Sequence, residues 1–140
     1  MITALDTNIL IALWDESDAL NLNARDALDK AYGSGGLTIS GLVFVELLAA
    51  PGRTSRMVED FLNDTEITID WLVGEKIWRT AAHAFQSYAN RRRKQKQSEP
   101  KRLIADFLIG AHALENGHNL LTLDKRIFRI AFPALKVIGA

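Results

Sequence analysis

Ile2-Thr3-Ala4-Leu5-Asp6-Thr7-Asn8-Ile9-Leu10-Ile11-Ala12-Leu13 is an apolar run that carries Asp6-Thr7-Asn8 in its middle. Its reading decides the fold. The simplest layout makes Ile2 to Leu5 a short buried strand, puts Asp6 at its carboxyl end and starts a helix with Thr7 or Asn8 near the N-cap. An ionised carboxylate among so many aliphatic side chains is expensive to bury unless something positive meets it. In open α/β sheets the carboxyl ends of strands are where ligands bind. Asp, Thr and Asn are also ordinary capping residues, so the tripeptide alone does not separate a site from a simple helix start.

Working outward, the 140 residues and 48% hydrophobic content suit one domain, 1–140, with a real core. Lys plus Arg and Asp plus Glu number 17 each, so no global field advertises a nucleic-acid partner, and any basic surface is local. Absence of Cys removes disulfides and thiolate zinc sites and fits a reducing compartment. No basic region precedes the first apolar run, which Asp6 interrupts, and no later stretch is long and apolar enough to span a bilayer. The expectation is a soluble cytoplasmic protein.

Further along, Ile9 to Trp14 reads as a short helix and Ala19 to Tyr32 as a second, stopped by Gly33-Ser34-Gly35-Gly36. Leu37 to Ile39 predicts a strand, and Ser40 can cap a helix from Gly41 to Ala49, in which Glu46 is the lone ionisable group. A helix from Thr54 or Ser55 to Asn63, a strand at Ile67 to Ile69 and a long helix from Gly74 to Ala89 follow. The one dense charge block then runs from Arg91 to Arg102. It reads either as a solvated helix end or loop, or as a phosphate-contacting patch through Arg91, Arg92, Arg93, Lys94 and Lys96. Pro100 suits a helix start, and that helix runs to Glu115, with Asp106 beside its apolar stripe, next to open space left by Gly110 and Ala113. His112 points the other way. Asn119 to Leu123 predicts a strand, Asp124 follows it as Asp6 follows the first, Lys125 to Ala131 forms one or two helical turns, and Leu135 to Ile138 is a last strand. Alternating strands and helices imply an α/β fold, with a parallel sheet covered on both faces.

Asp6, Glu46, Asp106 and Asp124 thus occupy anomalous positions that such a sheet can bring to one edge. A cluster of this kind repels itself, and Mg²⁺ or Mn²⁺, hard cations that take carboxylate oxygens, removes the repulsion. Zinc fits less well: there is no Cys, and His83, His112 and His118 lack the spacing of a His-rich site on one helix.

Four pieces, in order, resemble the PIN-domain ribonucleases, and among them the VapC toxins of toxin–antitoxin pairs. They are Leu5-Asp6-Thr7-Asn8-Ile9-Leu10, Glu46 in Val45-Glu46-Leu47, Ala105-Asp106-Phe107-Leu108-Ile109-Gly110-Ala111-His112-Ala113, and Leu121-Thr122-Leu123-Asp124-Lys125-Arg126-Ile127-Phe128. The resemblance implies a three-layer α/β/α sandwich around a mainly parallel sheet. It also implies an endoribonuclease whose acidic metal-site residues are Asp6, Glu46, Asp106 and Asp124, with Thr7, Asn8 and Thr122 as supporting polar groups. By the same resemblance the protein pairs as a homodimer and is held neutral by a VapB-like antitoxin. Gln86 to Arg102 matches no motif of the family. Two other classes stay open: a catalytically silent PIN-like module that binds RNA, and a phosphoacceptor domain whose acidic pocket is phosphorylated.

Overall fold

Thr3–Leu5 forms strand β1, buried throughout, and Thr7–Trp14 forms helix α1. Asp6, between them, is itself the N-cap residue, with extended dihedrals (φ −75°, ψ 151°), so the cap falls one residue before Thr7 and two before Asn8. The computed structural model from which this is read describes residues 1–95 and 104–140. Helix α2, Asn21–Ser34, begins later than expected and continues through Gly33. The reason is Asn21, whose buried side-chain amide donates to the carbonyls of Ala12 (2.8 Å) and Leu13 (3.1 Å) in the last turn of α1.

Strand β2, Leu37–Ser40, leads directly into α3, Gly41–Leu48. Ser40 stands at the N-cap position, yet its buried hydroxyl makes no capping bond. Helix α4, Ser55–Asp64, is capped by Thr54, whose hydroxyl accepts from the Met57 amide at 3.2 Å. Strand β3, Ile67–Asp70, is followed by α5, Glu75–Lys94, which absorbs the start of the basic block instead of stopping at Ala89. Arg and Lys are good helix formers, and positive charge in the last turn complements the helix dipole. Helix α6, Ile104–Glu115, strand β4, Asn119–Thr122, helix α7, Lys125–Ala131, and strand β5, Val137–Gly139, complete the order. The expected helix start at Pro100 and the burial of Leu103 lie outside the described residues.

The five strands form one sheet in the order β3-β2-β1-β4-β5, every neighbouring pair parallel. All residues of β1, β2 and β4 are buried, so helices cover both faces, as the near-continuous apolar runs of these strands require. The chain builds outward from β1 through β2 to β3, then returns to place β4 on the other side of β1. The direction of winding therefore reverses between β1 and β4, where Leu5 pairs with Leu121. A crevice opens at the carboxyl ends of the strands at such a point. Among the described residues, no helix is long and apolar enough to cross a membrane.

One sequence expectation fails inside α6. The space beside Gly110 is not open: a Cβ there would lie 2.3 Å from Cε2 and 2.6 Å from Cδ2 of the buried Phe132 ring. Gly110 is therefore where the end of α7 presses onto α6. We expect Gly110→Ala to cost about 1–3 kcal/mol in denaturant unfolding, because an aromatic ring packed in the core has little room to retreat. An unchanged midpoint would mean that Phe132 moves aside freely.

Candidate active site

The carboxyl ends of β1 and β4 hand their next residues to a cavity of about 300 Å³, lined by Asp6, Thr7, Asn8, Ile11, Glu46, Asp106, Asp124 and Phe128. All four acids singled out in the sequence meet here. Asp6 and Asp124 arrive at strand ends as N-cap residues of α1 and α7, and neither spends its carboxylate on a cap bond. Glu46 comes from α3 and Asp106 from the first turn of α6, both partly buried.

The centre of the arrangement is the Thr122 hydroxyl. It donates to Asp6 Oδ2 at 2.8 Å and accepts from the Asp124 amide at 3.0 Å and from Asn8 Nδ2 at 3.4 Å. One donor and two lone pairs are all a hydroxyl has, so its proton is committed to Asp6. Asn8 completes the tie by accepting from the Leu123 amide through Oδ1 at 3.2 Å. Thr7, the next residue along, donates to Glu46 Oε1 at 2.6 Å and so turns that glutamate toward the cavity rather than toward water. Thr7, Asn8 and Thr122, the polar groups that the resemblance singles out, thus each hold a specific bond here.

Asp6 is only 5% exposed, and its pKa is pushed up to about 6. Burial is the main cause. The Thr122 hydroxyl and the Thr7 amide oppose it by hydrogen bonding, while the negative charges of Asp106 and Glu46 push the same way as burial. Among the described residues, no three His, Cys, Asp or Glu groups are already drawn into a cluster that could hold a metal ion. The four carboxylates share the walls of one cavity without converging on one point. The donor set nevertheless suits a hard divalent cation: oxygens only, mutually repelling, with one carboxylate made reluctant to ionise until positive charge arrives.

His112, expected to face away from Asp106, does so. Its buried ring bonds Asp70 Oδ2 through Nε2 at 2.8 Å, and His118 lies 6.0 Å from it, ring to ring. Burial pushes the Asp70 carboxyl up, but the His112 bond, the Leu72 amide and the two imidazoles outweigh it and hold the group below its ordinary range. Nothing in the sequence pattern announced this pair. In the basic block Arg92 is buried, with its guanidinium 6.0 Å from the Tyr88 ring centre, rather than presented on the surface. Arg91 is partly buried, with Nη2 enclosed and without a hydrogen-bond partner, whereas Arg93 and Lys94 are exposed. Lys96 lies outside the described residues.

An open parallel sheet with an acidic cleft at its reversal point defines an α/β protein with four carboxylates on the walls of one cavity. The PIN domain model matches residues 3–133, and the chain belongs to the PIN domain family. Among solved structures it is similar to VapBC2 from Rickettsia felis bound to a promoter DNA fragment, at 18% identity and TM-score 0.63, covering 100% of this chain and 99% of that one. It is similar also to FitAcB from Neisseria gonorrhoeae (20%, TM-score 0.67, 99% and 97% covered) and to a toxin–antitoxin complex from Klebsiella pneumoniae (20%, 0.66, 98% and 96%). At such identities the likeness is one of fold. No curated protein sequence matches the chain.

The raised pKa has a thermodynamic sign. The fold keeps the Asp6 proton up to about pH 6, while the unfolded chain, with the ordinary value of 3.8, has already released it. The folded state therefore binds more protons over that interval, and its stability falls as pH rises through it, by roughly 2–3 kcal/mol in all. We expect Asp6→Asn to raise the stability of the chelator-treated protein above about pH 6 by a similar order and to flatten the decline. Thermal melts across pH check this; an unaltered decline in Asp6→Asn would show that Asp6 ionises without cost.

Proposed function

We propose that this PIN domain is a metal-dependent endoribonuclease and the toxin half of a toxin–antitoxin pair. The observation that carries the reading is the assembly of Asp6, Glu46, Asp106 and Asp124 in one cavity, with Asp6 buried and its carboxylate fixed by Thr122. PIN domains are generally nucleases, one structurally similar complex is described as a toxin–antitoxin complex, and two others, VapBC2 and FitAB, are described as bound to DNA fragments. Those likenesses support a VapB-like antitoxin as the partner and the cytoplasm as the place of action. A second copy of the chain has an apolar surface to use in Val45, Trp71 and Leu72, all exposed; Trp71 packs edge-on against Phe44, a neighbour of Val45 on α3.

Asp6 and Asp106 are the residues we assign as direct ligands of Mg²⁺ or Mn²⁺, with Glu46 and Asp124 as further ligands or acting through water. When bound, the ion lowers the pKa of a water and offsets negative charge on the phosphoryl oxygens. The protein's own contribution is positional. Thr122 orients Asp6, Thr7 orients Glu46, and Asn8 ties the start of α1 to the end of β4, so the acids hold their places against mutual repulsion. Exposed Arg93 and Lys94 on the end of α5 offer phosphate contacts that act whatever the RNA sequence.

No histidine lines the cavity among the described residues, and His112 is engaged with Asp70. The general-acid and general-base pair that would use the RNA's own 2′-hydroxyl is therefore not assembled there. Attack by water is the favoured chemistry, with the 3′ oxygen leaving. We expect fragments with 5′-phosphate and 3′-hydroxyl ends, formed with Mg²⁺ or Mn²⁺ and abolished by EDTA or by Asp106→Asn. End-labelling of the fragments decides it: cyclic phosphates, or cleavage in excess EDTA, would refute the mechanism. RNA binding without cleavage in any divalent ion would support the silent module instead, and labelling by an acyl phosphate would support the phosphoacceptor.

A further inference from the structure

Gly139 on β5 is in register with Thr122 on β4. In-register residues of neighbouring parallel strands direct their side chains to the same face, about 5 Å apart. The space that a side chain at 139 would fill thus lies on the face to which Thr122 turns the hydroxyl that bonds Asp6. Lys125 fills it: a Cβ on Gly139 would lie 2.2 Å from its Cδ, 2.5 Å from its Cε and 2.8 Å from its Nζ. The lysine stem lies across the bare glycine, which carries the ammonium to the carboxyl edge of the sheet, one strand from the acidic cavity. The side chain is exposed, so the ammonium at the end of that stem is open to solvent. Among the described residues Lys125 enters no ion pair.

The cavity beside it is lined by four carboxylates and, among the described residues, by no cation. A polyanionic strand entering there gains from fixed positive charge at the rim. We propose that Lys125, lying across Gly139, contacts a phosphate of the RNA strand next to the one being cut; this rests on the ribonuclease reading above. Gly139 is then the positioning residue, since any side chain at 139 evicts the lysine from the rim.

The test compares Lys125→Gln, Lys125→Arg, Gly139→Ala and the double variant Lys125→Gln/Gly139→Ala with the unmodified protein, using a short single-stranded RNA across a salt series. Loss of one phosphate contact should lower the log-log salt slope of binding by about 0.7 and raise KM about threefold to tenfold at low salt, with kcat nearly unchanged. Lys125→Arg should keep the slope, Gly139→Ala should lose it as Lys125→Gln does, and the double variant should lose no more than either. Thermal melts establish that each variant is folded; if Gly139→Ala is not, the pair of Lys125 variants carries the test alone. Unmodified protein that neither binds nor cuts RNA would overturn the ribonuclease reading and this proposal with it. Cleavage with an unchanged salt slope and KM in Lys125→Gln would overturn the assignment of Lys125 alone.

Discussion

Everything at the acidic cleft depends on one hydroxyl. Thr122 sits at the end of β4 and Asp6 at the end of β1, and the bond between them is possible because those strands are neighbours at the sheet's reversal point. Its proton is directed at Asp6 because its lone pairs are taken by Asn8 and by the Asp124 amide. A single side chain therefore fixes a carboxylate, the start of α1 and the start of α7 together. Replacing it with valine would keep the volume and remove all three restraints.

The cleft is also where the fold acts against itself. A central parallel strand is buried on both faces, and ending it in a carboxylate puts charge where water is scarce. Asp106 and Glu46 add to the strain. Elsewhere the molecule removes such conflicts: Glu115 is met by Lys76 and Thr80, and His112 by Asp70. At the crevice Asp106 and Glu46 instead push against Asp6, and a structure tuned for stability alone would place a neutral residue at position 6. Perturbed carboxylates of this kind in a cleft mark candidate functional sites.

Much of this was legible in the sequence, for a physical reason. Buried parallel strands are short and apolar, so a carboxylate just after one, as at Asp6 and Asp124, stands out. The element order and the convergence of the four acids followed from that alternation. Features that depend on distant contacts were not legible. The start of α2 is set by Asn21 reaching back to α1, the gap at Gly110 is filled by a ring 22 positions later in sequence, and Asp70 with His112 joins elements that no local pattern links. The basic block was legible only as a block. Charge density is visible in sequence, but which arginine turns inward, as Arg92 does, depends on the packing of α5 against its neighbours.

The hydrogen bond between Asp6 and Thr122 joins residues 116 positions apart. A chain emerging from the ribosome makes its first acid at once and must then wait for β4 before that acid has its anchor. At ordinary synthesis rates of about 5–20 residues per second, the interval is roughly 6 to 23 seconds. During it, α1 and α2 can already pair through Asn21, since those contacts are local. The cleft is therefore among the last features of the molecule to exist, and a truncated chain lacking β4 has a first strand but no assembled site.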